Sequence, residues 1–350
     1  MKMMPKLVSE EIAKYDASGM LDRILHLPSQ IEHAVTIARG TSFKLADNFS
    51  NICLAGMGGS AIGGYIARAC FSDIITIPFA VNRFYSFPKY VNENSLVIAC
   101  SYSGDTEETL SAYDDARAKG ARIVCVTAGG ILAERARRDG YSAIVLPGGY
   151  PPRSALGYLT VALLYILFFA RLIADPETDM RETIAVLRKL AEEYHPGVVS
   201  NRAKEIAYLL HGKIPLIYTS AGNFEPVALR WKCQLEENSE MLGFSNVFPE
   251  LNHNEIMGWG PLAEVNRVFQ PVYLRDPQMH PAVLKRMQVT KTILERHSDE
   301  VIEVASTGSS LLARMFSLIF LGDMVSLYLA ILNRVDPTAI ANIDFIKKSL

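Results

Sequence analysis

The chain reads as an α/β protein whose mainly parallel sheets are covered by helices on both faces. Two observations carry this. Short apolar runs rich in β-branched residues recur at 51–55, 74–81, 95–100, 122–126 and 143–146, and helical patterns fill the intervals, notably 61–70, 106–119 and 132–139. Strands that alternate with helices pair in parallel and need a helical layer over each face. The alternation then breaks and restarts near residue 214, so the layout occurs twice, although no residue-level repeat is visible.

Length and composition agree. At 350 residues, 49% hydrophobic and 21% charged, the chain has material for two domains and no low-complexity tract. A net charge of −2 argues against a dedicated nucleic-acid binder, which needs a basic surface. It leaves room for a small anion in one pocket. Cys53, Cys70, Cys100, Cys125 and Cys233 include no Cys-x-x-Cys pair, and Cys53, Cys100 and Cys125 fall inside predicted strands. An odd count and no apolar core in residues 1–11 long enough for a signal peptide point to a reducing cytoplasm. The segment 155–170 carries no charge but is shorter than the roughly 20 residues a bilayer needs, and Arg171 stops it. Arg314 and Asp323 interrupt the apolar segment 311–332. Both read as buried helices.

Residues 8–47 read as two helices, with Asp16, Ser18 and Gly19 as a turn and Pro28 near the start of the second. The first alternation follows. The polar break at 175–179, with Pro176, is the best boundary, giving domains 1–177 and 178–350. A charged helical pair comes next, split near His195-Pro196-Gly197. Strands at 214–219, 244–248, 268–274 and 300–304 then alternate with a helix to about 238, one near 280–296 and a long one from 310.

The stretch Ser-Tyr-Ser-Gly-Asp-Thr-Glu-Glu-Thr (101–109) stands where a buried strand hands over to a helix. There the free backbone N–H groups and the positive end of the helix dipole favour an anion. Ser101, Ser103 and Thr106 add donors, and Gly104 permits a tight turn. Phosphate is the natural guest, and a Ser-rich N-cap the bland alternative.

Gly56-Met57-Gly58-Gly59-Ser60-Ala61 follows the first strand and opens a helix, formally matching G-x-G-x-x-A. A dinucleotide site would put an acidic residue at the end of the second strand, where this chain has Val81-Asn82-Arg83. NAD is thereby disfavoured, while Arg83 keeps NADP in play. The alternatives are that Gly58 and Gly59 let backbone approach a smaller ligand while Ser60 donates to it, or that the glycines serve helix–strand packing alone. A second loop, 148–155, carries Arg153 at another strand end. Carboxyl ends of parallel strands line one crevice, so Ser60, Ser101, Ser103, Thr106 and Arg153 should converge. A cation there can stabilise developing negative charge.

In the second half, Glu237 ends a predicted helix, where a carboxylate opposes the dipole. It is a candidate proton-abstracting base or a solvated charge in a Glu-rich turn. Pro249-Glu250-Leu251-Asn252-His253-Asn254-Glu255 packs polar groups between apolar flanks. His253 could relay protons near neutral pH, oriented by a neighbouring carboxylate. The spacing matches no zinc pattern, and no metal or cofactor is expected. Lys347 and Lys348 end the chain in what reads as a last helical turn, where lysines complement the dipole.

Taken together, Gly-Met-Gly-Gly-Ser-Ala (56–61), the 101–109 stretch, Pro-Arg-Ser-Ala-Leu-Gly (152–157), Glu-Asn-Ser (237–239) and the 249–255 motif resemble the bifunctional phosphoglucose/phosphomannose isomerases of the sugar-isomerase (SIS) superfamily. Ser-x-Ser-Gly-x-Thr alone indicates only an SIS phosphosugar site; the 152–157 and 249–255 motifs are more specific. The resemblance implies two SIS domains, each a five-stranded flavodoxin-like three-layer sandwich, assembled as a homodimer. It implies phosphate binding by Ser60, Ser101, Ser103 and Thr106, with Glu237 as the base moving a proton between C1 and C2 through a cis-enediol. Arg153 would stabilise the enediolate and His253, from the partner subunit, would assist ring opening. Lys347 would complete the set, with Lys348 adjacent in register. This chain departs from the family in carrying Glu236 for an asparagine and Glu240 for a lysine, carboxylates expected to raise the Glu237 pKa by like-charge repulsion.

The expected function is metal-independent interconversion of glucose 6-phosphate, and of mannose 6-phosphate, with fructose 6-phosphate. The rival of another class is a phosphosugar sensor without turnover, which would need the 101–106 loop but not Glu237, Arg153 and His253 together. An NADP-linked oxidoreductase is third.

Overall fold

The computed structural model describes every residue except 1–5, 42, 44, 46, 47, 261, 299 and 350. In chain order the elements are α1 (Ser9–Tyr15), α2 (Met20–Leu25), α3 (Leu27–Gly40), β1 (Asn51–Ala55), α4 (Gly58–Cys70), β2 (Phe79–Asn82), β3 (Ser95–Cys100), α5 (Glu107–Ala118), β4 (Arg122–Thr127), α6 (Gly130–Asp139), β5 (Ser142–Val145), α7 (Leu156–Phe169) and α8 (Glu177–Glu193). There follow α9 (Arg202–Leu210), β6 (Ile214–Ser220), α10 (Glu225–Ser239), β7 (Phe244–Phe248), α11 (Ala263–Asn266), β8 (Phe269–Arg275), α12 (Pro281–Leu294), β9 (Ile302–Ala305), α13 (Leu311–Asn333) and α14 (Ala341–Ser349). The start, read as two helices, is three, and the end of that reading falls partly outside the described residues.

Two compact units emerge, His26–Ile184 and a second made of Met1–Leu25 with Ala185–Leu350. This differs from the expected 1–177 and 178–350. The polar break around 175–179 is the acidic first turn of α8 rather than a linker, and the division falls inside that helix. The first two helices belong with the second unit because both pack on α13. Asp16 caps α2, accepting from the Met20 and Leu21 amides at 2.7 and 2.8 Å.

The 26–184 unit holds a parallel sheet of order β2-β1-β3-β4-β5. Its residues alternate between two buried faces, as central parallel strands require. Cys53, Ala55, Val97 and Ala99 pack with Leu110, Tyr113, Leu132 and Ala136 of α5 and α6. On the other face Leu54 lies against Gly64 of α4, and α7 packs between α3 and α4. That position explains why α7 is apolar all round: Leu156 to Leu167 are all buried.

The second unit has a parallel sheet of order β7-β6-β8-β9. The resemblance led us to expect five strands; four form among the described residues, the same four the apolar runs mark. Helix α13 is the core element, packed by α9, α10, α1 and α2. It alone among the described helices is long and apolar enough to cross a membrane, and its apolar window is 100% buried inside the unit. Its charged residues are matched: Arg314 Nε donates to Asp276 at 2.8 Å, and Asp323 accepts from Arg230 and Gln234.

Candidate active site

In the 26–184 unit the strand order reverses between β1 and β3, so a crevice opens beyond their carboxyl ends. Ala55 pairs with Ala99 there, and the chains leaving both strands turn into helices α4 and α5. Neither helix start is capped by its N-cap side chain. Two helix starts with no N-cap side chain on their amides therefore follow these strands, an environment that favours an anion. Thr106 is the N-cap of α5, but its hydroxyl shares a hydrogen with Ser101 Oγ at 2.9 Å instead of capping.

The hydroxyls divide into two groups. Ser60 and Ser101 are buried and build the loop: Ser60 Oγ accepts from the Tyr102 amide at 3.3 Å and Ser101 Oγ from the Gly104 amide at 3.1 Å. Ser103 is exposed, its Oγ accepting from the Asp105 amide at 3.3 Å, and Thr106 is half-exposed. Gly104 is required twice over. Its φ is +81°, and an added Cβ would lie 1.9 Å from the Gly129 carbonyl oxygen. Asp105 accepts from the Ile131 amide at 3.0 Å and so ties this loop to the start of α6. Burial pushes the Cys100 thiol up to about 12, which leaves it a packing residue.

Arg153 lies in a 3-10 turn, Pro152–Ser154, and is 4% exposed. This turn presses on the start of α4: a Cβ on Gly59 would meet the Pro152 carbonyl oxygen at 2.6 Å. Gln30 of α3 holds it from the other side, donating to the Ser154 carbonyl at 2.9 Å. Ser60, Ser101, Ser103, Thr106 and Arg153 thus share one unit and one sheet end. Arg83, the cation a dinucleotide 2′-phosphate would use, lies over the Tyr65 ring at 5.7 Å.

Glu237, His253 and Lys347 belong to the other unit. Helix α10 ends at Ser239, so Glu237 sits in its last turn. The residues beside it anchor that turn. Asn238 donates to Ser326 Oγ at 2.9 Å, Ser239 to the Ser326 carbonyl at 2.7 Å, and Asn333 to the Ser239 carbonyl at 2.8 Å. With Asn238 and Ser239 fully buried, Glu237 is left half-buried on a pocket of about 640 Å³, with Cys233, Glu236, Glu240 and the start of α14. Burial raises the Cys233 pKa, so its thiol stays protonated. Lys232 pairs with Glu236 at 2.8 Å. Glu240 takes the left-handed C-cap position, φ 52°, and is exposed.

The segment after β7 makes two 3-10 turns, Glu250–His253 and Glu255–Trp259. Its polar side chains other than His253 are hydrogen-bonded, although Glu250 and Asn254 are exposed. Asn252 donates to Thr290 Oγ1 at 2.8 Å, Asn254 to Glu250 at 2.7 Å, and Glu255 is held by Tyr218 and Asn246. His253 is exposed and makes no hydrogen bond or ion pair among the described residues. No carboxylate reaches its ring, contrary to the expectation of an orienting acid, because both nearby glutamates are spent on the turn. Lys347 and Lys348 lie on α14, which buries no residue. Residues 341–343 line the Glu237 pocket; neither lysine does.

The SIS domain model matches residues 44–144, and the bacterial phospho-glucose isomerase C-terminal SIS domain model matches residues 199–350. A bifunctional phosphoglucose/phosphomannose isomerase of Caldicellulosiruptor bescii is 44% identical over 334 residues, spanning 95% of this chain and 98% of its own. The chain belongs to the bifunctional phosphoglucose/phosphomannose isomerase family. A member from Thermoplasma acidophilum is 39% identical over 303 residues, 86% of this chain and 90% of its own. Among solved structures, the C-terminal domain of glucosamine-fructose-6-phosphate aminotransferase from Francisella tularensis superposes with a TM-score of 0.69 at 17% identity, covering 91% of this chain and 97% of that one. Tagatose-6-phosphate ketose/aldose isomerase from Escherichia coli gives 0.63 at 16%, covering 95% and 94%. At these identities the structures establish the fold: two SIS domains.

Proposed function

We propose that the protein is a metal-independent aldose–ketose isomerase. It interconverts glucose 6-phosphate, and mannose 6-phosphate, with fructose 6-phosphate through a cis-enediol. The supporting observation is the pairing of family membership across 95% of the chain with an uncapped double helix start at the β1/β3 crevice. The sugar phosphate rests on Ser103, Thr106 and the first-turn amides, with Ser60 and Ser101 shaping the loop and Gly58, Gly59 and Gly104 allowing backbone approach. Glu237 takes the proton from C2 of the aldose and returns it to C1, and Arg153 stabilises the negative oxygen of the enediolate. His253 protonates the ring oxygen on opening. Lys347 contacts the substrate from α14.

The working form in this reading is a cytoplasmic homodimer with His253 given across the interface. An apolar patch supports it. Phe244 starts the edge strand β7, and with Leu242, Met257, Leu262, Val265 and Val268 it exposes large side chains. A pocket of about 420 Å³ joins Phe244 to Gly258, Trp259 and Phe269 within this patch. Exposed apolar edges of this kind are covered in stable proteins.

The test is conversion of fructose 6-phosphate in the presence of chelator, with products resolved by NMR. Both glucose and mannose 6-phosphates are expected. Phosphosugar binding without any product would favour the sensor reading.

A further inference from the structure

His253 is the outward group of a segment whose other polar side chains are all tied down, and Glu255 makes the tie that reaches furthest into the unit. Its carboxylate accepts from the Tyr218 hydroxyl on β6 through one oxygen and from the Asn246 amide on β7, at 2.6 Å, through the other. Tyr218 is 1% exposed. Desolvation first, and then the charge of Glu255, push its pKa well up, so it stays a donor. Asn246 is fixed in turn, its own oxygen accepting from the Val247 amide at 2.8 Å. Adjacent strands thus grip both oxygens of one carboxylate just past His253. At the other end of the segment Asn252 is pinned to Thr290 of α12.

We infer that Glu255 is a positioning residue: gripped between Tyr218 and Asn246, it fixes the 249–259 segment so that the His253 ring projects outward in one place. The inference rests on the ring-opening role proposed for His253. In that step the C1–O5 bond breaks with its electron pair going to O5, and O5 takes the imidazolium proton. The C1 hydroxyl loses its proton to solvent as the carbonyl forms. A displaced imidazole would slow this step without weakening phosphate binding, since the phosphate loop lies in the other unit.

Ring opening is read directly from enzyme-catalysed exchange between the α and β anomers of glucose 6-phosphate, by saturation-transfer NMR. Glu255→Gln and Tyr218→Phe should each lower that exchange, Glu255→Gln by on the order of tenfold to a hundredfold, with KM little changed. His253→Ala should lose it, and His253→Ala/Glu255→Gln should be no worse than His253→Ala, because the clamp acts only through the ring. If His253→Ala loses exchange while Glu255→Gln and Tyr218→Phe keep it, the clamp is overturned and the role of His253 stands. Losses that multiply in the double variant overturn it too. If His253→Ala leaves exchange intact, the ring-opening reading falls and the clamp falls with it. Tyr218→Phe removes a single hydroxyl and decides the matter should Glu255→Gln fail to fold.

Discussion

Glu237 owes its availability to its two neighbours. Asn238 and Ser239 bury their polar groups against α13, and the helix period then turns Glu237 toward the pocket. Glu237→Gln is therefore expected to fold and bind phosphosugar while losing about a hundredfold or more in turnover. Steady-state kinetics beside a binding isotherm would show it. Gly104→Ala should be worse than any single hydroxyl loss in the phosphate loop, since the new methyl would collide with the Gly129 carbonyl at a left-handed φ. Loss of glucose 6-phosphate binding by calorimetry checks this. At this scale residue types were legible and partners were not. Ser101 and Thr106 stood out by spacing, yet nothing local told that they bond each other. Nor does anything local tell that Asp105 bonds the start of a helix 26 positions on. The acid beside His253 was visible, but not its partners, Asn246 nine residues back and Tyr218 on a strand 37 positions away.

Helix α10 and helix α13 meet along a polar seam that the sequence shows only as isolated charges. Arg230 and Gln234 both reach Asp323, at 2.6 and 3.0 Å, with the pair almost wholly buried. Removing one partner leaves the other charged and dry, so Asp323→Ala should cost about 3 to 5 kcal/mol in urea unfolding. On the sheet, Glu303 of β9 bonds Arg275 of β8 and, at 2.6 Å, Lys291 of α12. Burial works to raise its pKa, but the two cations outweigh that and hold it below the usual 4.5. A depressed carboxylate pKa means the unfolded chain binds the proton more readily. Stability from this group is present above pH 4.5 and is lost as pH falls through the folded value. Urea midpoints taken down this range should fall less steeply in Glu303→Gln than in the wild type. Element types were legible because strand and helix periods differ. The α8 start reads as a polar break because the polar first turn of a helix and a loop share a composition.

The whole molecule carries two SIS units, with the 101–106 loop and Arg153 in one and Glu237 and His253 in the other. The doubled alternation made that architecture legible. The return of the first 25 residues to the second unit was not, because only tertiary contact with α13 decides it. The exposed apolar side chains around β7 are the surface that the proposed homodimer would cover. Met257→Glu together with Phe244→Asp should give a folded monomer with little activity, seen by light scattering and circular dichroism; an active monomer would remove the donated histidine. The central claim is proton transfer by Glu237, and deuterium incorporation tests it most directly. Chelator-treated protein in D₂O with fructose 6-phosphate should place deuterium at C2 of glucose and mannose 6-phosphates, and Glu237→Gln should place almost none. Undiminished label from Glu237→Gln, or product formed by the wild type with no label while free solvent exchange is assured, would contradict it.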